Sequence, residues 1–477
     1  MKRLSRNSIR KVLSIVTATV MLTTLAACAT SQEGVATADQ ATAAAVQTEA
    51  STTALEATKT ALKRLTKDDI TIEQTIENSA DGEHAIEADG ESFSYQNTLV
   101  TKSGDSSGDE ADFYGENAAI FATNGGTLDL SEMVVITDGT HANAVFSYGE
   151  GTTVNISNSY IETSGNCSGG LMTTGGGTMN ADYLTIVTSG NSSAAIRFDR
   201  GGGTVNVDGG CYTTSGTGSP VIYSTADITV SDAELTSTAS QGVVVEGKNS
   251  VTLNNVTLNA DNNTKNSDKS SYYQAVMIYQ SMSGDASEGK SSFEMNGGTL
   301  TNQNGDVFFV NNTATDITLN GATIVNKGDG VFLRAAAAGW GNEGSNGGKV
   351  NLYATDQVIE GDMAVDDVSL LNLYLSENST LTGAVNTENS AGEIYVEIEK
   401  GSKWTLTGDS YISSLSCSAD AIDLNGYTLY VDGVAYTEGS SSIGDAIEIP
   451  VSSGSSHGGV PDGAPGGSDH GAPPSKP

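Results

Sequence analysis

The sequence contains few basic residues and few cysteines. Its 477 residues include 22 Lys and Arg against 58 Asp and Glu, which gives a formal net charge of −36 at pH 7. A chain this negative repels phosphate backbones and anionic lipid headgroups, which argues against nucleic-acid binding and against membrane attachment by surface charge. Of the four cysteines, Cys28 is interpreted below as a lipid site, and the odd number that remains implies no disulfide framework.

The N-terminus has the pattern of an export signal. Basic residues at positions 2, 3, 6, 10 and 11 precede an apolar stretch over 12–25 that is too short to be a spanning helix. The stretch ends in Leu25-Ala26-Ala27-Cys28, which resembles the lipobox of bacterial lipoproteins. That resemblance implies removal of residues 1–27 and attachment of lipid to Cys28, on a membrane at the bacterial cell surface. The alternative is an ordinary signal cleavage site followed by a chance cysteine.

The two ends of the exported chain differ in composition from its middle. Residues 28–65 are rich in Ala, Thr, Ser and Gln, which predicts a flexible or partly helical tether. Residues 450–477 hold six of the seven prolines, which predicts a disordered tail. Residues 66–449 are therefore expected to form the folded part.

A repeated phrase runs through residues 127–324. Two apolar residues one position apart recur every 23 to 26 residues, apart from one longer gap, and a third apolar residue follows five positions after the second. Period-two alternation within each phrase predicts a strand. The third position is filled in turn by Val135, Ile161, Ile186, Tyr212, Leu235, Leu258, Leu300 and Ile324. A column this regular is expected to point into a shared core.

Each unit also has an apolar run upstream of the phrase, such as 195–196 or 243–245, so each coil needs three short strands. One coil cannot bury its own apolar residues, and stability must come from stacking coils. The fold class predicted is all-β, a single-stranded parallel β-helix. Regular coils are expected over 66–352, and irregular coils with a C-terminal cap over 353–449.

The segments 401–410 and 423–429 look like the closing coils of β-helix surface proteins. Together with the repeats, they make the chain similar to the pectate-lyase-like superfold of right-handed parallel β-helices, and within it to adhesin-like surface proteins of bacteria. The resemblance covers about 350 residues and is specific for fold only, because the superfold hosts lyases, hydrolases and pure binding proteins.

A cluster of carboxylates precedes the first repeat of the phrase. Asp105, Asp109, Glu110 and Asp112 lie among glycines, and hard oxygen ligands at this density suit Ca²⁺. The spacing matches no EF-hand, and the alternative is a solvated acidic loop. Calcium is the one cofactor that the sequence suggests, and the fold requires none.

Two insertions, 280–291 and 335–348, interrupt the period in coils lying two apart, so they are expected to project side by side from one edge. They bring Tyr279, Glu288, Arg334 and Trp340 towards one another. An aromatic face with flanking polar groups can stack on a sugar ring, which makes these four residues a candidate carbohydrate site. The alternative is that Trp340 packs its own loop onto the coils.

Catalytic residues are hard to find. Galacturonase-like hydrolases of the superfold have neighbouring Asp residues and a Gly-His-Gly motif, whereas none of the four His here is flanked in that way. A lyase-like elimination would need a basic residue near carboxylates, and Arg197 and Asp199 are the nearest candidates. Both are expected to point outward from a strand, and the alternative for them is a surface ion pair.

Thr, Ser and Asn fill most remaining positions expected to face outward, including Thr163, Thr188 and Thr214, which begin equivalent turns. Stacked Asn and Thr can form hydrogen-bonded ladders that brace such turns. The function expected is a lipid-anchored, non-catalytic surface β-helix that acts in adhesion or polysaccharide binding, with a polysaccharide or another cell as partner. The rival expectation is a secreted polysaccharide lyase or glycoside hydrolase.

Overall fold

The computed structural model describes residues 64–265, 267–269, 271–281, 283–390 and 392–451. The predicted signal peptide, the lipid site at Cys28, nearly all of the tether and the tail from residue 452 lie outside the described residues. Helices are short within these ranges: a 3-10 turn at Lys67–Asp69 and an α-helix at Asp109–Phe113. No helix among the described residues is long and apolar enough to cross a membrane.

The described chain winds through three long parallel sheets, which confirms the predicted parallel β-helix. Each coil contributes one strand to sheet 1, then one to sheet 2, then one to sheet 3. Sheet 1 has ten strands: Gln74–Asn78, Thr98–Lys102, Val134–Thr137, Tyr160–Thr163, Thr185–Thr188, Cys211–Thr214, Glu234–Ser237, Thr257–Ala260, Thr299–Asn302 and Thr323–Asn326. Sheet 2 has eleven: Ile86–Asp89, Ile120–Thr123, Val145–Tyr148, Leu171–Thr174, Ile196–Asp199, Ile222–Ser224, Val243–Glu246, Gln274–Tyr279, Asp306–Asn311, Val331–Ala335 and Asp362–Val365. Sheet 3 has thirteen: Ser92–Gln96, Thr127–Ser131, Thr153–Ser157, Thr178–Asp182, Thr204–Asp208, Asp227–Ser231, Ser250–Asn254, Lys290–Asn296, Ala314–Asn320, Lys349–Thr355, Leu370–Ser376, Glu393–Ile398 and Ser414–Cys417.

The core lies between the three sheets and follows the repeated phrase. The two apolar positions of each phrase are inward residues of sheet 3, and the third position is an inward residue of sheet 1. Val135 through Leu300 in that third column are fully buried, and Ile324 is partly buried. Side chains from successive coils stack at the strand spacing of about 4.8 Å, so the apolar column is continuous from coil to coil.

The corner between sheets 3 and 1 is turned by one left-handed residue per coil. Asn97, Asn158 and Asn255 occupy this position with φ between 47° and 52°. Asn adopts this conformation more readily than most side chains, which explains its recurrence directly after the phrase. The corner therefore keeps a constant angle, and the strands on both sides stay in register.

The turn between sheets 1 and 2 requires glycine and carries buried hydroxyls. A Cβ at Gly190 would lie 1.8 Å from the carbonyl oxygen of Gly165 in the preceding coil, and one at Gly216 would lie 1.8 Å from that of Gly190. Ser193 Oγ also accepts a hydrogen bond from the backbone N–H of Ser168, at 3.0 Å. Buried serine hydroxyls thus link the turns of successive coils, whereas the sequence suggested outward ladders of Asn and Thr.

The prediction that Thr163, Thr188 and Thr214 face outward is wrong, because all three are fully buried. Each lies two residues after an inward apolar residue, so strand alternation carries it inward. The hydroxyl of Thr163 donates to the carbonyl oxygen of Ser168, five residues on, at 2.6 Å. This bond satisfies the buried hydroxyl and closes the turn.

Beyond residue 352 the coils continue on two sheets and change on the third. A four-stranded sheet takes over from sheet 1, with strands Val358–Glu360, Thr380–Thr382, Lys403–Thr405 and Ile422–Asp423. A three-stranded sheet, Ser410–Ile412, Leu429–Val431 and Val434–Ala435, ends in an antiparallel pair. The last described residues lie over the outer face of sheet 3, where the amide of Asn372 exchanges two hydrogen bonds with the backbone of Ile447.

Candidate functional site

A surface groove runs along the outer face of sheet 3. Its volume is about 830 Å³, and six successive strands line it, from the strand of Ser94 to the strand of Thr229. At a strand spacing of about 4.8 Å, these strands give the groove a length of about 24 Å. It crosses the coils at right angles to the strands, so an extended ligand would meet one repeat after another.

A ladder of amides forms the floor of this groove. Asn155 Nδ2 donates to the carboxylate of Asp129 at 2.8 Å, Asn180 Nδ2 donates to Asn155 Oδ1 at 2.9 Å, and Asn206 Nδ2 donates to Asn180 Oδ1 at 2.9 Å. The parallel register places these side chains directly above one another. The ladder fixes their orientation and leaves further donor and acceptor capacity facing the groove.

The groove carries negative charge. Its described lining includes Asp129, Asp182, Asp208 and Asp232, and no Lys or Arg. All four carboxylates belong to exposed residues, so the groove attracts neutral or cationic groups and repels anions. Tyr183, with 48% of its surface exposed, stands beside Asp182 at this edge. An exposed ring next to polar groups is suited to stacking on a sugar.

The outer face of sheet 2, by contrast, is covered and contains buried ionisable groups. Glu246 is 1% exposed and accepts hydrogen bonds from the hydroxyls of Tyr223 and, at 2.9 Å, Tyr279. Burial and the Glu246 carboxylate raise the pKa of both tyrosines. The tyrosines therefore stay protonated and act as donors that hold a buried carboxylate.

Arg197 and Asp199 do form an ion pair, with 2.5 Å between Nε and Oδ2, but the expectation of a surface pair is wrong. The two side chains are 15% and 2% exposed. Burial raises the pKa of Asp199 to about 6, although the Arg197 charge opposes the rise. Both residues point outward from sheet 2 as predicted, but segments distant in the sequence cover them.

Arg200 joins two of these covering segments. Its Nε lies 2.7 Å from Asp285 in the loop after Tyr279, and its Nη1 lies 3.3 Å from Asp109 in the α-helix. Its guanidinium carbon also lies 3.5 Å from the centroid of the Phe113 ring. We call this arrangement the Arg200 clasp. It holds the α-helix and the 283–289 loop across the outer face of sheet 2.

The four residues predicted to bind a sugar lie along the same face but are not equally accessible. Tyr279 and Trp340 meet edge to face with ring centroids 5.1 Å apart, and Tyr279 is only 8% exposed. Trp340 is partly buried and packs on the cluster around Phe309, as the alternative interpretation expected. Arg334 forms a two-fold ion pair with the buried carboxylate of Asp306 at 2.6 and 3.1 Å.

Glu288 is in a separate pocket of about 310 Å³, which both predicted insertions help to form. Asn342 and Ser345 from the second insertion line it with Glu288 from the first, and Lys349 closes one side. The prediction that the two insertions project side by side thus agrees with the structure. The pocket is smaller than the groove on sheet 3 and does not extend along the coils.

The predicted calcium residues point in different directions. Asp109 belongs to the Arg200 clasp, Asp105 accepts a hydrogen bond from the backbone N–H of Thr140 at 2.7 Å, and Asp112 Oδ1 lies 2.8 Å from His141 Nδ1. Glu110 lies in the same helix, near Tyr148, whose pKa is raised by burial and, to a smaller extent, by Tyr114 and the Glu110 charge. Calcium binding by these four residues stays a prediction.

Sequence reasoning missed the amide ladder of the groove, although the signal was present. Asn155, Asn180 and Asn206 are the third residues of three successive phrases, and aligned outward amides indicate a polar stripe. Glu246 and Asp285 gave no comparable signal, because their partners come from other coils.

No known family model, curated protein or solved structure matches the chain.

Proposed function

We propose that this chain is a lipid-anchored cell-surface protein that binds an extended polysaccharide in the groove on sheet 3. The observation that carries the proposal is the groove itself, about 830 Å³ in volume and lined by stacked amides, hydroxyls and carboxylates. Sugar hydroxyls both donate and accept hydrogen bonds, and such a lining offers both roles at every coil. The export signal and the lipobox-like Leu25-Ala26-Ala27-Cys28 support anchoring through Cys28.

The negative charge of the groove limits which polysaccharides are expected to bind. The carboxylates of Asp129, Asp182, Asp208 and Asp232 would repel a polyuronate or a sulfated chain. A neutral glucan-like chain, or a chain of amino sugars, meets no such barrier. Binding is therefore expected for neutral or cationic polysaccharides and not for pectate-like ones.

The second candidate function is that of a polysaccharide lyase or hydrolase. The buried ionisable groups on the outer face of sheet 2 favour it. Asp199, with a pKa raised to about 6, lies beside Arg197, and perturbed carboxylates are common at catalytic sites. Substrate would have to reach a carboxylate that is 2% exposed. Covered as it is, the pair fits a structural role better than a catalytic one.

The test is a binding and degradation screen with the full chain carrying Cys28→Ser, against neutral, cationic and anionic polysaccharides. In the variant Asn180→Leu/Asn206→Leu, two groove amides become apolar side chains of similar size. Binding is expected to fall about 5- to 150-fold, since two lost hydrogen bonds at about 0.5–1.5 kcal/mol each cost about 1–3 kcal/mol. The matched control is Asn296→Leu/Asn320→Leu, which breaks an equivalent amide ladder on the same sheet outside the groove.

Equal losses in the two variants would place the site elsewhere on sheet 3, and no loss in either would refute binding in the groove. Release of shortened or unsaturated oligosaccharides by the unsubstituted chain would instead support the enzyme. Circular dichroism of each variant separates loss of binding from loss of fold.

A further inference from the structure

Three metal-ligating side chains converge at the edge of sheet 2, away from the groove. One ligand atom each from Asp112, His141 and Cys167 lies within 4.8 Å of the other two. Asp112 comes from the α-helix, whereas His141 and Cys167 lie in the turns between sheets 1 and 2 of two successive coils. The fold thus brings together residues that are far apart in the sequence.

The turn geometry explains why His141 and Cys167 are neighbours. They occupy the same left-handed position in consecutive coils, with φ of 58° and 56°. The backbone N–H of His141 donates to the carbonyl oxygen of Asn166, and that of Cys167 donates to Asn191, at 2.9 and 2.8 Å. The two side chains therefore project from one column, a single coil spacing apart.

The buried His141 ring has a nitrogen that lacks a hydrogen-bond partner. His141 is 8% exposed, and its Nδ1 makes no hydrogen bond among the described residues. Asp112 Oδ1 lies 2.8 Å from this nitrogen, but the two atoms are not aligned as donor and acceptor. The nearby carboxylate offsets only part of the free-energy cost of a buried nitrogen that forms no hydrogen bond, and a metal ion between the imidazole, the carboxylate and the thiol would bind all three.

We propose that Asp112, His141 and Cys167 form a binding site for a divalent transition-metal ion of the Zn²⁺ class. A thiolate and an imidazole are ligands that Zn²⁺ prefers and Ca²⁺ does not. Three protein ligands leave a fourth position of a tetrahedral ion for water or another ligand. The ion would also fasten the α-helix, and with it part of the cover over sheet 2, to the coils.

The surroundings of Cys167 argue against a nucleophilic role for it. Burial and the nearby Asp112 carboxylate raise the pKa of the thiol, while Arg197 opposes the rise. A thiol in that state is protonated at neutral pH and a poor nucleophile. A bound metal cation favours the thiolate instead, because it displaces the proton from the sulfur and binds the thiolate directly. The Arg197 charge is already neutralised by Asp199, so it is a weak obstacle to a second cation.

The experiment is a titration of the metal-free full chain, carrying Cys28→Ser, with Co²⁺ and then Zn²⁺. A thiolate-to-cobalt charge-transfer absorption is expected at one equivalent and should disappear when Zn²⁺ displaces the cobalt. Cys167→Ser and His141→Asn should abolish the absorption. Asn is chosen because it accepts the left-handed backbone of residue 141.

Two further variants keep the result interpretable. Cys417→Ser changes a buried thiol far along the chain and should leave the absorption intact. Asp112→Asn preserves the size of a side chain that is 33% exposed, and it should weaken cobalt binding without unfolding the coils. The proposal is overturned if the unsubstituted chain gives no charge-transfer absorption, or if Cys167→Ser retains it, which would place the metal elsewhere.

Discussion

Certain positions in the turns between sheets 1 and 2 accept only glycine, because the backbone of the neighbouring coil lies too close for a side chain. Gly190 faces the carbonyl oxygen of Gly165 so closely that a Cβ would lie 1.8 Å away, and its φ is not in the left-handed region. The constraint there is contact with the neighbouring backbone and not conformational freedom. The Gly165 carbonyl oxygen is also held in place, because it accepts a hydrogen bond from Ser193 Oγ of the next coil at 3.1 Å.

The variant Gly190→Ala should accordingly be strongly destabilising. Overpacking against well-ordered neighbours costs about 1–3 kcal/mol, and a backbone clash belongs at or above the upper end of that range. Thermal or urea unfolding measures the change in the free energy of unfolding. Gly408→Ala is the control, since its Cβ would meet only two side-chain methyl groups, that of Ala384 at 3.3 Å and that of Thr387 at 3.7 Å. Equal effects of the two changes would contradict this prediction.

Asp199 should make stability depend on pH. Its pKa is raised to about 6 in the folded chain, against about 3.9 in an unfolded one. The folded state therefore binds the proton more tightly, so this group's contribution to stability is fully present below about pH 4 and is lost as pH rises through about 6.

The comparison that isolates Asp199 is the unfolding free energy of the unsubstituted chain minus that of Asp199→Asn, measured from pH 4 to pH 7. This difference should decrease as pH rises, because the general repulsion within an acidic chain is common to both proteins. A difference that increases with pH would show that the Arg197 charge outweighs burial and that the pKa is lowered instead.

At the scale of elements, the sequence predicts the strands much better than it predicts which outer faces of the sheets are buried under other segments. Tyr212 and its column were assigned inward from the period alone, and the structure confirms them. Thr163 was misassigned because a polar residue next to a turn resembles a surface residue, although alternation from Ile161 places it inside. The contacts of Arg200 with Asp109 and Asp285 on the same outer face were not predicted, because no local pattern reveals contacts with segments about 90 residues away on either side.

The Arg200 clasp should control the mobility of two covering segments. Its two ion pairs and the Phe113 contact together contribute about 1–2 kcal/mol, given partial exposure of Arg200. In Arg200→Ala, amide hydrogen exchange in the helix Asp109–Phe113 and in residues 283–289 should accelerate about tenfold.

The control for the clasp is Lys403→Ala, which removes an exposed ion pair with Asp420 at the other end of the coils. It should leave exchange in both segments unchanged. Unaltered exchange in Arg200→Ala would mean that packing alone, without the clasp, keeps these segments in place.

At the scale of the whole folded part, repetition explains both the stability and the proposed site. Each coil adds one strand to each sheet, so inward positions build a continuous core and outward positions build continuous surface stripes. The groove is one such stripe, in which Asp129, Asn155, Asn180 and Asn206 follow one another. A ligand that is itself a repeating chain matches this surface better than a compact one does.

The most direct test of this account is the affinity of the full chain for oligosaccharides of increasing length, prepared from whichever polysaccharide binds in the screen and measured by calorimetry. Affinity should rise with length until the ligand covers the groove, about 24 Å at about 4.8 Å per strand, and then level off. In Asn180→Leu/Asn206→Leu the rise should be flattened. If the shortest sugar binds as tightly as the longest, the ligand occupies a compact site such as the Glu288 pocket, and the proposal of an extended groove is wrong.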